Sequence, residues 1–194
     1  RHILGCVAEN IELDIPAGSG KIEYSISYTA KEDLDPDDGI TVSAVESYDN
    51  LDPLKADFVH YEAEGTDRDD IEDATIRLEA TDQNTRYSSK DTDDSHKPHI
   101  ITQGGINYVI DLTVAFKDKY WREKLKNREK ISSFKVLLDA GGKGGRYDTW
   151  ELTFSGVTVQ DAPMDIPEDG DLEDTVTLNA DSLTAVIKDD FQYQ

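Results

Sequence analysis

The sequence predicts a mainly β protein, an antiparallel β-sandwich or barrel with one short flanking α-helix, on three observations. Apolar and polar residues alternate at period two in many short runs. Loops rich in Gly, Pro, Asp and Asn separate those runs. A single stretch lacks Gly and Pro and carries helical spacing instead. The 194 residues are enough to bury a core without metal or disulfide staples and are read as one domain, 1–194.

Val7, Glu9, Ile11, Leu13 and Ile15 share one face of a first strand, and Ile22, Tyr24, Ile26 and Tyr28 share one face of a second. Pro16-Ala-Gly-Ser-Gly20 between them is hairpin material. Further strands are predicted at Ile40 to Val45, Ala74 to Ala80, Tyr108 to Phe116, Ile131 to Leu138, Tyr147 to Val159, Thr175 to Ala180 and Leu183 to Ile187. Tyr108, Ile110, Leu112, Val114 and Phe116 form the longest clean apolar face, and Trp150, Leu152 and Phe154 form another. Such alternation describes half-buried antiparallel sheet.

Lys117 to Arg128 breaks the pattern. Strong helix formers and a stripe of Tyr120, Trp121, Lys124, Leu125 and Arg128 predict a helix of about three turns there. Loops are predicted at Asp33 to Gly39, Asp49 to Pro53, Gly65 to Asp70, Asp91 to Pro98 and Gly141 to Gly145. No repeat of solenoid length occurs.

The candidate chemical sites are weak. The loop from Asp33 offers alternate carboxylates, but a calcium loop of this kind needs Gly where Asp38 stands and a bidentate Glu where Ala44 stands. Asp91, Asp93, Asp94, His96 and His99 are suitable metal ligands in type, yet the segment reads equally as an exposed acidic loop. Gly141 to Gly145 lacks the spacing and the hydroxyl of a phosphate loop and reads as a hairpin turn. Cys6 is the sole cysteine, which excludes an internal disulfide. No nucleophile-elbow or metalloprotease signature is present, so no catalytic residue, cofactor or metal ligand is assigned and the chain is read as non-enzymatic.

No run approaches the ~18 apolar residues that span a bilayer, and no basic-then-apolar leader opens the chain, which argues against membrane anchoring. Arg1 stands directly before an apolar stretch, a start that suggests upstream sequence is missing.

Charge is the strongest compositional signal. Acids outnumber bases 42 to 20, a formal net charge of −22, and Asp and Glu are scattered along the whole chain. At molar salt the Debye length falls to about 3 Å, so an acidic coat of this kind suits a halophilic setting. Against that background Lys117 to Lys130 is a basic island with seven Lys or Arg and three acids, a local +4 that leaves −26 elsewhere. The island reads either as a solvated helix face or as a surface that docks on an acidic patch of another copy. Nucleic-acid binding fits less well, because the surrounding chain repels phosphate.

The order of elements resembles the tail tube proteins of tailed viruses. Gly5-Cys-Val-Ala-Glu-Asn-Ile-Glu-Leu-Asp-Ile15 and Lys21-Ile-Glu-Tyr-Ser-Ile-Ser-Tyr28 look like that family's paired strands after a Gly-Cys start. Asp73-Ala-Thr-Ile-Arg-Leu-Glu-Ala80 looks like its later strand, and Gly105-Ile-Asn-Tyr-Val-Ile-Asp-Leu-Thr-Val-Ala-Phe116 like the strand that leads into a short helix. Thr149-Trp-Glu-Leu-Thr-Phe-Ser-Gly-Val-Thr-Val159, the loop Pro167-Glu-Asp-Gly170 and Thr175-Val-Thr-Leu-Asn-Ala180 are similar to the closing portion.

The resemblance implies a virion protein, assembled in the host cytoplasm, whose copies close into stacked, hexameric rings together with other tail proteins. DNA would pass through the lumen without specific binding. The expected assembly surface is the basic helix, at Lys117, Lys119, Arg122, Lys124, Lys126 and Arg128, and the acidic segments at Asp33, Asp35, Asp37 and Asp38 and at Asp67, Asp69, Asp70 and Asp73. Tail-completion and baseplate proteins share the implied fold. A secreted or cell-surface β-sandwich binding module of a haloarchaeon is the alternative from another class, and it predicts a monomer with an exposed aromatic platform. An acidic extracellular hydrolase is a further rival, which a concave pocket with two carboxylates at catalytic separation would mark.

Overall fold

The computed structural model describes residues 2–4, 7–18, 20–29, 32–34, 59–81, 84–87, 98–102, 104–115, 119–139, 149–162 and 173–188. In chain order the elements are β1 (His2–Leu4), β2 (Val7–Ile15), β3 (Glu23–Thr29), β4 (Glu32–Leu34), β5 (Val59–Ala63), β6 (Thr66–Asp67), β7 (Ile71–Ala80), β8 (Asn84–Tyr87), β9 (Pro98–Thr102), β10 (Ile106–Ala115), α1 (Tyr120–Asn127), β11 (Ile131–Asp139), β12 (Thr149–Asp161), β13 (Glu173–Ala180) and β14 (Ser182–Lys188). Among the described residues the chain is mainly β with a single helix, as the sequence predicts.

Strands of the main sheet pair in the order β3-β2-β7-β10-β13-β12-β11-β5-β6, with β14 beside β12. Among the described residues this order has two ends, β3 and β6. Two further two-stranded antiparallel sheets are formed by β1 with β4 and by β8 with β9.

The chain forms two compact units. Arg1–Ile11, Ser25–Leu51 and Leu78–Ile106 make up the first, and Glu12–Tyr24, Asp52–Arg77 and Asn107–Gln194 the second. Every buried hydrophobic side chain among the described residues belongs to the second unit. Its centre is cross-strand pairing in register: Ile110 faces Leu178 and Leu112 faces Val176 between β10 and β13, and Phe134 faces Phe154 and Val136 faces Leu152 between β11 and β12. Burying a side chain of this kind stabilises the fold by about 1.5–3 kcal/mol. Phe134 is the hub, with the rings of Tyr61, Trp121 and Phe154 centred 6.4, 6.3 and 6.5 Å away.

Polar ladders tie the opposite face. Arg77 pairs with Asp111, which accepts a hydrogen bond from Thr177 at 2.7 Å, linking β7, β10 and β13. Lys135 on β11 lies 3.7 Å from Glu62, its register partner on β5, and 3.6 Å from Glu151, which is diagonal to it on β12, where Thr153 stands opposite Lys135.

β12 changes its inward face at Gly156. Phe154 is buried at an even position, but Val157 and Val159 are buried at odd ones. A strict period of two cannot do that. Gly156 has φ +63°, a conformation that glycine adopts without steric penalty, and the turn of the backbone there passes the apolar face from one parity to the other. β12 thus pairs with β14 before Gly156 and with β13 after it. This bend is how one long strand serves two stretches of sheet.

The helix is shorter than predicted. It spans Tyr120–Asn127, with Lys119 at its N-cap position making no side-chain cap, and Lys117 lies outside the described residues. Arg128 adopts a left-handed conformation, φ 54°, and ends the helix before the position predicted. Its N–H donates to Leu125 O at 3.2 Å while Glu129 N–H donates to Lys124 O at 3.0 Å, the paired bonds of a Schellman stop.

Other differences have local causes. Gly65 to Asp70, predicted as a loop, is a tight turn at Glu64 and Gly65, both with positive φ, followed by the two-residue strand β6. Asp33 and Leu34 belong to β4, and Pro98 begins β9, a strand start being a place proline tolerates. β1, β4, β5, β6, β8 and β9 are too short to show a period. The predicted strand Ile40 to Val45 and the loops Asp49 to Pro53 and Gly141 to Gly145 lie outside the described residues. Among the described residues no helix is long and apolar enough to cross a membrane.

Candidate assembly surface

Helix α1 is held down by the β5–β6 turn and the residues after it. Arg68 and Asp70 are both buried, 8% and 4% exposed, and form a two-pronged ion pair: Arg68 Nε donates to Asp70 Oδ1 at 2.8 Å and Nη2 to Oδ2 at 2.6 Å. Trp121 Nε1 donates to the same Asp70 Oδ2 at 3.1 Å, and the Arg68 guanidinium lies 4.4 Å from the Tyr120 ring centre. A buried charge is tolerated only when its partners are this complete.

A second clamp is more exposed. Glu64 accepts from Tyr120 Oη at 3.2 Å and from the Ser132 backbone N–H at 3.3 Å, and it pairs with Lys124 Nζ at 2.9 Å. The hydrogen bond from Lys124 is the main reason the Glu64 carboxyl is held below its usual range, and the same bond raises Lys124.

The predicted assembly residues therefore divide. Asp70 is buried inside the unit with Arg68 and Trp121, and Lys124 is half-buried between Glu64 and Glu129. Lys119, Arg122, Lys126 and Arg128 are exposed on and around α1. Lys119, Arg122 and Lys126 line a shallow groove with Glu123, Leu125 and Ala162. Asp67 and Asp69 are exposed, and Asp73 is half-buried on β7. Asp33 lies in β4, where only the backbone is described, and Lys117, Asp35, Asp37 and Asp38 lie outside the described residues. The candidate metal ligands Asp91, Asp93, Asp94 and His96 also lie outside, and His99 is a backbone position in β9. Among the described residues no cluster of His, Cys, Asp or Glu could hold a metal.

Two surface features were not legible in the sequence. The first is β3. Tyr24, Ile26 and Tyr28 alternate as predicted, but they are 75%, 51% and 48% exposed, and six of the seven residues of β3 are exposed. β3 ends the strand order of the main sheet, so among the described residues its outer edge has no partner strand. Alternation reports that residues share a face. It does not report whether anything covers that face.

The second feature is a cleft of about 540 Å³ beside β5. Ile15, Pro16, Val59 and Ile71 supply apolar wall, and His60, Asp67, Asp69 and Glu72 supply polar groups. Arg68 is its one cation among the described lining residues, and Asp70 matches that charge. Tyr61 also lines the cleft. It is 7% exposed, and its hydroxyl is buried without a hydrogen-bond partner. Burial, and then the nearby Asp73 carboxylate, push this phenol above its usual range, so it is neutral at ordinary pH.

No family model matches the chain, and no curated protein matches it. Among solved structures it is similar to the anti-feeding prophage cap, which terminates that particle's tube, at 13% identity, 77% of this chain, 99% of that chain and TM-score 0.48. It is also similar to a chain of the anti-feeding prophage baseplate, at 14% identity, 66% and 90% coverage and TM-score 0.43. A double mutant of the Hcp1 protein from E. coli EAEC 042 is similar at 12% identity, 70% and 98% coverage and TM-score 0.37.

Proposed function

We propose that this chain is a structural, non-catalytic subunit of a viral tail tube, whose copies join sheet margin to sheet margin into stacked rings that act as a conduit for DNA. The observation that carries the reading is β3: a margin strand with no outer partner among the described residues, which exposes Tyr24, Ile26 and Tyr28 on one face. A long apolar edge left open invites uncontrolled pairing, and natural proteins shorten, charge or cover such edges. β3 is neither short nor heavily charged. Covering by a sister copy resolves it, and a heterologous contact of one margin with the opposite margin of the next copy closes into a ring.

The acid excess fits the conduit. Each phosphate neutralised by a cation adds affinity through counterion release, so a lumen poor in Lys and Arg lets DNA slide. Six copies per ring, docking of other tail proteins, residence in the virion and assembly in the host cytoplasm complete the proposal. A halophilic source accounts for the charge of −22.

The test is negative-stain microscopy with light scattering of the purified chain in molar salt. Rings or tubes are expected, and Tyr24→Asp with Ile26→Asp is expected to leave monomers that keep the wild-type circular dichroism. A wild-type chain that stays monomeric at high concentration overturns the reading.

One observation favours a second reading. Tyr24 and Tyr28 stand exposed on one face of β3, an aromatic platform of the kind a carbohydrate-binding module presents. That reading requires a monomer whose tyrosine fluorescence changes on glycan titration.

A further inference from the structure

The cleft beside β5 and the groove on α1 have opposite charge and share no lining residue. We infer that the cleft is a socket for a lysine side chain from α1 of a neighbouring copy, with Lys119 and Lys126 as the incoming groups. The inference rests on the ring reading above and names the partner that the basic helix meets.

The cleft's chemistry selects a cation on an apolar stem. Its wall at Ile15, Pro16, Val59 and Ile71 suits four methylenes, and Asp67 and Glu72 are exposed acceptor-only groups in its lining. The Tyr61 hydroxyl, buried in the cleft wall, has no hydrogen-bond partner among the described residues. An ammonium has three donors and no acceptor, so it suits a cleft lined by these exposed carboxylates. Anions are repelled by the same carboxylates, and the cleft residues do not form a metal-holding cluster among the described residues.

The helix supplies the matching half. In a chain with twice as many acids as bases, Lys119 and Lys126 make no ion pair among the described residues. Lys124 on the same helix is already paired with Glu64, which removes it from the interface. Helix groove and cleft share no lining residue, so each copy can use both, and under the ring reading the contact runs head to tail.

Charge reversal tests this. One chain carries Asp67→Lys and Glu72→Lys, and a second carries Lys119→Glu and Lys126→Glu. Each alone is expected to associate at least about tenfold more weakly than wild type near 0.15 M salt, about the physiological value. Mixed, they are expected to co-assemble in alternation, because every cleft then meets a helix of opposite charge. The changed residues are exposed, so both chains are expected to keep the wild-type melting curve. Reversed chains that assemble alone as well as wild type, or a mixture that does not recover, overturn the inference while leaving the ring reading standing.

If the wild-type chain forms no rings, the ring reading fails by itself and the socket is read separately. A synthetic peptide of residues 117–130 is titrated into the full chain and followed by NMR at His60 and Tyr61. Shifts that are lost in Asp67→Asn/Glu72→Gln support the socket. Unchanged His60 and Tyr61 resonances overturn it.

Discussion

Gly156 sits directly against Asp181 at the bend of β12. The register on both sides places the two opposite one another, and a Cβ on Gly156 would lie 2.2 Å from Asp181 Oδ2. Asp181 N–H donates to Ser155 O at 3.0 Å, and Lys130 Nζ lies 2.7 Å from Asp181 Oδ2, so the exposed aspartate side chain would have to turn away and give up that ion pair to admit a Cβ. Gly156→Ala combines a positive φ with that collision and is expected to destabilise the fold by about 2–4 kcal/mol. Adding Asp181→Gly is expected to restore the steric part and leave the backbone part of about 1 kcal/mol, which urea unfolding of the two variants would separate.

Removing Asp70 strands the Arg68 guanidinium in a buried site and deprives Trp121 Nε1 of its acceptor. Asp70→Ala is expected to cost about 3–5 kcal/mol. Replacing both members with apolar residues, Arg68→Met with Asp70→Leu, is expected to cost less than the single change, because no charge is left without a partner. Denaturant titrations followed by tryptophan fluorescence would rank the two.

The Glu64–Lys124 clamp gives a signed pH dependence. The Glu64 carboxyl is lowered from 4.5, chiefly by the Lys124 hydrogen bond, so its contribution is present above the unfolded value and lost as pH falls through the lowered folded value. Lys124 is raised from 10.5 by the same bond, so its contribution is present below 10.5 and lost as pH rises through the raised value. Glu64→Gln is expected to cost about 0.5–1 kcal/mol at neutral pH, since the pair is partly exposed. Its stability curve is expected to meet the wild-type curve in strong acid and again in strong base. Thermal melts across pH would show whether the curves converge at both ends.

Repulsion among the scattered carboxylates is expected to make the fold salt-dependent. The melting temperature should rise by several degrees between low and molar sodium chloride, because the Debye length shrinks from about 10 Å at 0.1 M to about 3 Å at 1 M. A flat or falling melting temperature over that range would remove the argument for a halophilic source.

Much of the second unit could be read from local pattern. Ile110, Leu112 and Val114 are buried as their spacing on β10 predicted, and the strand predicted at Ile131 to Leu138 forms as β11, where Phe134, Val136 and Leu138 are buried. Trp121 on α1 is buried, in line with its helical spacing. The bend at Gly156 was present in the sequence as a change of parity, from Trp150, Leu152 and Phe154 to Val157 and Val159. A period-two reading that ran on to Val159 passed over it.

The assembly surface was harder to read. Lys124 and Lys126 look alike in sequence, yet Glu64 occupies one and not the other. Asp69 and Asp70 are adjacent acids, yet one is exposed and the other lies under a tryptophan. The cleft beside β5 gathers Ile15, Tyr61, Asp67 and Glu72 from segments far apart in the chain. No local signal marks such a meeting.

By itself the sequence determined which residues share a strand face, where helix α1 forms and how strongly acidic the chain is. Those properties depend on backbone period, propensity and composition, all of which act over a few residues. Only the tertiary structure decided that the Tyr24, Ile26 and Tyr28 face stands bare, that Arg68 and Asp70 are buried together, and that an acidic cleft opens beside β5. Burial and charge pairing depend on what the rest of the chain brings alongside, and that is a long-range property of the fold.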